Sequence, residues 1–271
     1  MIDITVLTDK RYDSPKEITP YIQNILDEDN ALLVALERKG LKVVRTYWDN
    51  PNFDWSTTRH VIFRTTWDYF DRFDEFSIWL EKINQVTTLI NPKSLIYWNI
   101  DKHYLQDLEK LGVRIPPTVF IEQNDNRSLT EVVSTTSWND FILKPAISGA
   151  ARHTYKINRD DIQSYESQFS ELITNESMLI QEYQKQITTK GEIALMIFGG
   201  KFSHAILKKA KSGDFRVQDD FGGTVDIYFP NNDEIQFAET IVSKLQPVPV
   251  YARVDVIWDN EDQLCIGEVE L

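Results

Sequence analysis

Along residues 1–98 the apolar positions switch between short continuous runs and a helical spacing. The runs "IDITVL", "LKVVRTYW", "HVIFRTTW" and "TTLIN" are β-rich and predict strands, the last ended by Asn91-Pro92. In "DEDNALLVALERKG", Leu32, Leu33 and Leu36 follow an acidic start and precede Gly40, which predicts a helix. "FDEFSIWLEKIN" carries the same spacing at Phe73, Phe76, Leu80 and Ile83. Strand and helix in alternation predict an α/β unit with a largely parallel sheet, ending near Trp98.

Beyond it the pattern changes. "NIDKHYLQDLEKLG" predicts a helix between a cap at Asn99 and a stop at Gly112. "IPPTVFI", "NDFILKPA", "HTYKI" and "MLIQEY" are extended, the second and third pairing, with a helix over "DDIQSYESQFSELI". After the polar connection "QKQITTKG", "EIALMIFGGKFSHAILKK" reads as a hairpin turning at Gly199-Gly200. The helix "NNDEIQFAETIVSKL" and a last hairpin, "RVDVIWDNEDQLCIGEVEL", complete a strand-rich α+β half.

A length of 271 residues allows two or three structural units and a sizeable core. The net charge of −13 argues against a duplex nucleic-acid partner, which demands a basic face. The single cysteine, Cys265, permits no intramolecular disulfide and fits a reducing compartment. The start "MIDITVLTDKRYD" lacks the charged and apolar regions of a signal peptide, and no run approaches the roughly 18 apolar residues of a membrane span. These features predict a soluble, cytoplasmic protein with no membrane partner. Nothing in them sets an oligomeric state.

The last hairpin carries the chemistry. Its two strands, joined by a polar turn over residues 259–263, contain Arg253, Asp255, Glu268 and Glu270. If Trp258 pairs with Leu264, a regular ladder sets Asp255 opposite Gly267, beside Glu268. Arg253 and Asp255 share one face, as do Glu268 and Glu270, and one register unites all four. Three close carboxylates repel one another unless a hard cation such as Mg²⁺ joins them. The plainer alternative is a solvated, charged sheet face.

Lys144 ends the apolar run "FILK" before a small-residue loop at Ser148-Gly149, where backbone N–H groups can approach a phosphate. Lys102 lies near a helix start, and Lys208, Lys209 and Lys211 precede Arg216. Each alone reads more often as a solvated lysine. Together with the acidic hairpin they form the charge set of a nucleotide–magnesium site. No G-x-S-x-G elbow occurs, and His60, His103, His153 and His204 lack metal-ligand spacing. In "RTTWDYF", Arg64 is a candidate for a substrate carboxylate, Asp68 for an ammonium, and Trp67 and Tyr69 for pocket walls. The alternative is an aromatic strand end serving packing. Arg152 is a further candidate for an anion.

In this order, "NIDKHYL", "FILKPAISGAA", "LIQEY…KGE", "SHAILKK", "GDFRV…FGG" and "RVDV…GEVE" resemble the ATP-grasp superfamily over roughly residues 99–271. The family's metal signature is arginine-x-aspartate followed by glutamate-x-asparagine; here Glu270 replaces the asparagine. "RTTWDYF", "LINPKSLIYWN" and "DKHYL" resemble the branch that includes the D-cycloserine ligase of antibiotic biosynthesis. The resemblance implies an α/β N-terminal domain (1–98) followed by α+β ATP-grasp lobes (99–182 and 183–271), with the nucleotide held between two sheets.

It also implies roles for individual residues. Lys102 and Lys144 would contact ATP phosphates, with Ser148 and Gly149 in the loop that closes over them. Glu182 and Tyr183 would read adenine at the hinge, and Glu192 the ribose. Lys208 and Arg216 would touch phosphate or acyl phosphate, Arg253 would stabilise developing charge, and Asp255, Glu268 and Glu270 would bind Mg²⁺ or Mn²⁺. The implied activity is ATP-dependent joining of a small carboxylate to an amine. A nucleotide-binding relative without ligase turnover is the first alternative. A metal-dependent hydrolase ranks last, because the acid–base histidine or further metal ligands such an enzyme often has are not evident.

Overall fold

A computed structural model describes residues 1–218 and 221–271, which divide into two compact units, Met1–Ile96 and Tyr97–Leu271. The first unit runs β1 (Ile2–Thr8), α1 (Lys10–Asp13), α2 (Pro20–Glu37), β2 (Val43–Tyr47), β3 (Thr58–Thr65), α3 (Phe73–Ile83) and β4 (Thr88–Ile90). Its four strands pair in parallel in the order β2-β1-β3-β4. The helix expected from Asp27 begins earlier, at Pro20, because Thr19 caps it by accepting from the Ile22 N–H and Pro20 occupies its first turn. Gly40, at φ +80°, closes it as its position predicts. Phe76, Leu80 and Ile83 of α3 are buried, so the helical spacing identified the core stripe.

The helix α4 (Lys93–Ile100) leads into the second unit, followed by α5 (Tyr104–Lys110). The single helix expected from Asn99 is therefore broken, and Asn99 lies inside α4 instead of capping a helix. Its amide serves the last strand, donating to the Val269 carbonyl (2.7 Å) and accepting from the Leu271 N–H (3.0 Å).

One sheet of this unit contains β5 (Thr118–Ile121), β6 (Asp140–Pro145), β7 (Tyr155–Asn158) and β8 (Met178–Glu182) in the antiparallel order β5-β8-β6-β7. Helices α6 (Leu129–Ser134) and α7 (Ile162–Asn175) bring Leu129, Val132 and Phe169 into a core with Phe141, Leu143, Ile157 and Ile180. α6 was not anticipated, although Ser128 and Glu131 form a reciprocal capping box at its start.

The other sheet comprises β9 (Glu192–Phe198), β10 (Lys201–Lys209), β11 (Thr224–Tyr228), β12 (Tyr251–Trp258) and β13 (Leu264–Glu270), with α8 (Asn232–Ser243) between β11 and β12. All its pairs are antiparallel, in the order β11-β10-β9-β12-β13. Cross-strand partners share a face. On one face Ile193, Leu195, Val254, Val256, Ile266 and Val269 are sealed, and α8 packs on this sheet through Ala238, Ile241 and Val242. The opposite face carries the charged residues. The β9–β10 turn falls at Gly199-Gly200 as predicted, both at positive φ.

Candidate functional site

The hairpin departs from a regular ladder at one residue. Trp258 pairs with Leu264 and Val256 with Ile266, but Asp255 then pairs with Glu268 and Arg253 with Glu270, leaving Gly267 as a bulge. The expected opposition of Asp255 and Gly267 is therefore corrected by one position. Ile266 and Val269 are both buried beside Val256 and Val254, yet three residues apart they would face opposite ways in an unbroken strand. One extra residue reconciles them and turns Glu268 and Glu270 onto the face of Asp255 and Arg253. Glycine suits the bulge, because a Cβ there would lie 3.3 Å from the Asp255 carbonyl oxygen and 3.6 Å from a Glu192 carboxylate oxygen. The outer edge of β13 is closed by the Arg114 carbonyl, which accepts from the Ile266 N–H (2.9 Å), and by the Tyr104 hydroxyl, which accepts from the Val269 N–H (3.0 Å).

Four acids and four bases meet around this face. Arg253 donates to both oxygens of Asp255, each at 2.8 Å, and also pairs with Glu270. Lys208 Nζ bridges Asp255 Oδ2 (3.1 Å) and Glu192 Oε1 (3.0 Å). From α4–α5, Lys102 Nζ lies 3.2 Å from Glu268 Oε1 and donates to the Ser148 carbonyl (2.7 Å). Lys144, on β6, donates to Gln181 Oε1 at 3.1 Å.

Burial raises the cost of each charge, and neighbours decide the outcome. Burial opposes ionisation of Asp255, but Arg253 and Lys208 outweigh it and hold the carboxyl at about 2. Burial pushes Glu192 up to about 7, with Lys208 only partly offsetting. Burial and then Lys102 bring Lys144 down to about 8. Lys208 is raised despite burial because Asp255 and Glu192 favour its cation. Glu268 is lowered despite burial, by Lys102 and then Lys144. The result is a balanced set of cations and hard oxygen donors.

Among the described residues, no three acidic, histidine or cysteine side chains form a ready cation site. Arg253 binds both Asp255 and Glu270, and Lys102 sits against Glu268. The donor chemistry nonetheless fits a hard divalent ion, because Asp255, Glu268 and Glu270 offer carboxylate oxygens from one hairpin face.

Other candidates fall at the margins of this cluster or away from it. Ser148 and Gly149 open a loop in which Ala150, Ala151 and His153 all take positive φ. Ser148 Oγ donates to the Arg152 carbonyl at 3.1 Å, and the Arg152 guanidinium pairs with Glu176. The Glu182 N–H donates to the Pro117 carbonyl (2.8 Å), and the Tyr183 ring lies 3.7 Å beneath Lys156 Nζ. The Tyr183 carbonyl accepts from Asn260 Nδ2 (3.1 Å), so the predicted hinge is tied to the hairpin turn. Arg216 is tied to Asp214 (2.7 Å) and stacks 3.8 Å from the Phe221 ring. Cys265 is fully buried, and that burial lifts its thiol to about 12.

In the first unit, Asp68 accepts from Trp48 Nε1 (2.7 Å) and Arg72 Nη1 (3.1 Å), so both its oxygens hold the aromatic cluster. Arg64 pairs with Glu28 of α2. Trp67 meets Tyr12 edge-on at 6.0 Å, and Tyr69 packs 5.4 Å from both Phe70 and Phe76. Gln181, Lys156 and Asn260 were missed in the sequence. Gln181 had one available signal: it is the polar residue inside the apolar run "MLIQEY".

A parallel α/β unit followed by two antiparallel sheets, with Lys144 of one sheet and Lys102 of the preceding helical segment turned toward carboxylates of the other, is the arrangement of an ATP-grasp protein. Residues 105–270 match the RimK-like ATP-grasp domain, and the chain belongs to that family. Residues 4–91 match the N-terminal domain of the D-cycloserine synthetase DcsG. The cycloserine biosynthesis protein DcsG of Streptomyces lavendulae is 30% identical over 184 residues, which span 66% of this chain and 61% of that protein. The crystal structure of D-cycloserine synthetase DcsG aligns with a TM-score of 0.83 at 26% identity, covering 99% of this chain and 91% of that one. The D-alanine–D-alanine ligase of Bacillus anthracis shares the fold, with a TM-score of 0.63 at 14% identity, over 100% of this chain and 86% of the other.

Proposed function

We propose that the chain is an ATP- and Mg²⁺-dependent carboxylate–amine ligase acting on a small amino-acid-like substrate through an acyl phosphate. The observation that carries this reading is the meeting of four bases and four acids: a bulge at Gly267 turns Glu268 and Glu270 onto the sheet face of Glu192, Lys208, Arg253 and Asp255, Lys102 reaches Glu268 from between α4 and α5, and Lys144 on β6 feels the charge of Glu268 and Glu192. A polyphosphate arriving there would exchange partners with the cluster. Lys102, Lys144 and Lys208 would turn to its oxygens, and Asp255, Glu268 and Glu270 would be released to hold a divalent ion. The ion supplies charge neutralisation at the phosphates when bound. Glu182 and Tyr183 suit the adenine, and Glu192, near its ionisation point, suits hydrogen bonding to a ribose hydroxyl.

In this reading the γ-phosphoryl group passes to a substrate carboxylate oxygen, giving an acyl phosphate and ADP. An amine then attacks the acyl carbon and phosphate leaves. Arg253 favours the transfer by balancing charge on the moving phosphoryl group, and Arg216 joins it only if it leaves Asp214. No side-chain nucleophile is required, because positioning and electrostatics carry the rate. Arg64, Trp67, Asp68 and Tyr69 remain candidates for the substrate side, with Asp68 already committed to Trp48 and Arg72. The lobes are proposed as 1–98, 99–182 and 183–271. A cytoplasmic location is proposed as well; among the described residues, no helix is long and apolar enough to cross a membrane.

Calorimetric titration with ATP, with and without Mg²⁺, tests this reading beside Lys144→Ala. Mg²⁺-dependent binding that weakens at least tenfold in the variant is the expected result. A folded chain that binds no ATP refutes the ligase reading.

A further inference from the structure

The charged face of the second unit's five-stranded sheet does not end at its acids. Cross-strand partners lie in rows, and one row runs Glu268, Asp255, Ala194, Ile206, Ile227 from β13 to β11. The next runs Glu270, Arg253, Met196 and His204. The face thus changes from acidic on β12 and β13 to apolar on β9, β10 and β11.

On β11 the apolar side is open. Val225 is 48% exposed, Ile227 80%, and Phe229, just past the strand end, 89%. Val225 pairs directly with Lys208, so this strip starts beside the charged cluster and continues the same face. On β9 the opposite face is sealed, with Ile193 and Leu195 fully buried, whereas β11 at the sheet edge also exposes Thr224 and Asp226 on its other face. Three large apolar side chains left open at alternate positions mark a surface with an occupant. With strands about 4.8 Å apart, Ile227 stands roughly 14 Å from Asp255 across three strand spacings. That span fits a substrate longer than its reacting carboxylate, with an apolar body lying over Ala194 and Ile206.

Building on the ligase reading above, we propose that Ile206, Val225, Ile227 and Phe229 seat a bulky apolar group of the carboxylate substrate. The chain then selects amino acids or dipeptides bearing leucine- or phenylalanine-like side chains over alanine- or serine-like ones. Continuity with the charged cluster is what assigns the strip to substrate.

The test is hydroxamate formation by the full chain with ATP, Mg²⁺ and hydroxylamine. Hydroxylamine nitrogen attacks the acyl carbon of the acyl phosphate, phosphate leaves, and the readout is independent of the natural amine. The panel is alanine, serine, leucine and phenylalanine in both enantiomers, and the dipeptides Ala-Ala, Leu-Leu and Phe-Phe. Leucine- or phenylalanine-bearing members should exceed alanine and serine at least tenfold in kcat/KM. Ile227→Asp and Phe229→Asp, at exposed positions, should erase that preference while ATP affinity by calorimetry stays unchanged. Equal rates across the panel, turnover of alanine or serine alone, or unaltered preference in both variants overturns the proposal and leaves the ligase reading standing. ATP binding without hydroxamate from any member also overturns it. Absence of ATP binding by the wild-type chain overturns the ligase reading on which it rests.

Discussion

Lys208→Met tests the electrostatics of the cluster most directly. Lys208 is 12% exposed, and its partners Glu192 and Asp255 are 14% and 3% exposed, so solvent screens these pairs little. Removing one partner of a buried ion pair costs roughly 3–5 kcal/mol. Asp255 keeps its two hydrogen bonds from Arg253 and remains ionised, which leaves Glu192 as the orphan. Glu192 titrates at about 7 even with Lys208 beside it, and without that cation it holds its proton to higher pH. At pH 6 it is protonated in both proteins. At pH 8 the wild type has released a proton that the variant keeps, and each pH unit above 7 is worth about 1.4 kcal/mol. The substitution should therefore cost about 1.4 kcal/mol more at pH 8 than at pH 6. Urea unfolding at the two pH values measures the difference. Glu192→Gln added to Lys208→Met should remove it. An equal cost of Lys208→Met at both pH values refutes the reasoning.

The same groups set the wild-type pH profile. The folded value of Glu192 is raised from 4.5 to about 7, so its contribution is full below 4.5 and lost as pH rises toward 7; Glu192→Gln should flatten this fall in urea midpoints. Asp255 is lowered from 3.8 to about 2, so its contribution is present above 3.8 and lost as pH falls through 2. Glu268→Gln should keep the melting temperature within a few degrees and abolish Mg²⁺-dependent ADP release; full activity would show that Glu268 holds no metal. Gly267→Val should destabilise by about 1–3 kcal/mol through crowding at the bulge and weaken ATP binding, read by urea unfolding and calorimetry. Asp68→Ala should cost about 2–3 kcal/mol in urea unfolding, because it removes a charged acceptor from Trp48 and Arg72; a neutral result would free Asp68 for a substrate role.

Much of this protein was readable from local chemistry. The parallel α/β start followed from periodicity and from turn residues such as Gly40, whose effect depends on their immediate neighbours. Lys102, Lys144, Lys208 and the acidic hairpin were identifiable as residue types in a particular order. Short-range signals also set the early start of α2 at Thr19-Pro20 and the start of α6 at its Ser128–Glu131 capping box. β11 gave no such signal, because Val225 and Ile227 are exposed and their strand has no burial alternation to read.

What the tertiary structure decided is which charges meet. Read as a regular ladder, the order of residues in β13 set Asp255 opposite Gly267. The sealing of Ile266 and Val269 against Val256 and Val254 selected a bulged register instead, and with it the pairing of Asp255 with Glu268. Lys102 reaches Glu268 from 166 positions earlier in the chain, and Asn99 closes the edge of β13 from a helix. Periodicity reports on residues a few positions apart. Register and long-range ion pairs come from burying apolar faces that belong to different segments, and that is settled only when the sheet assembles.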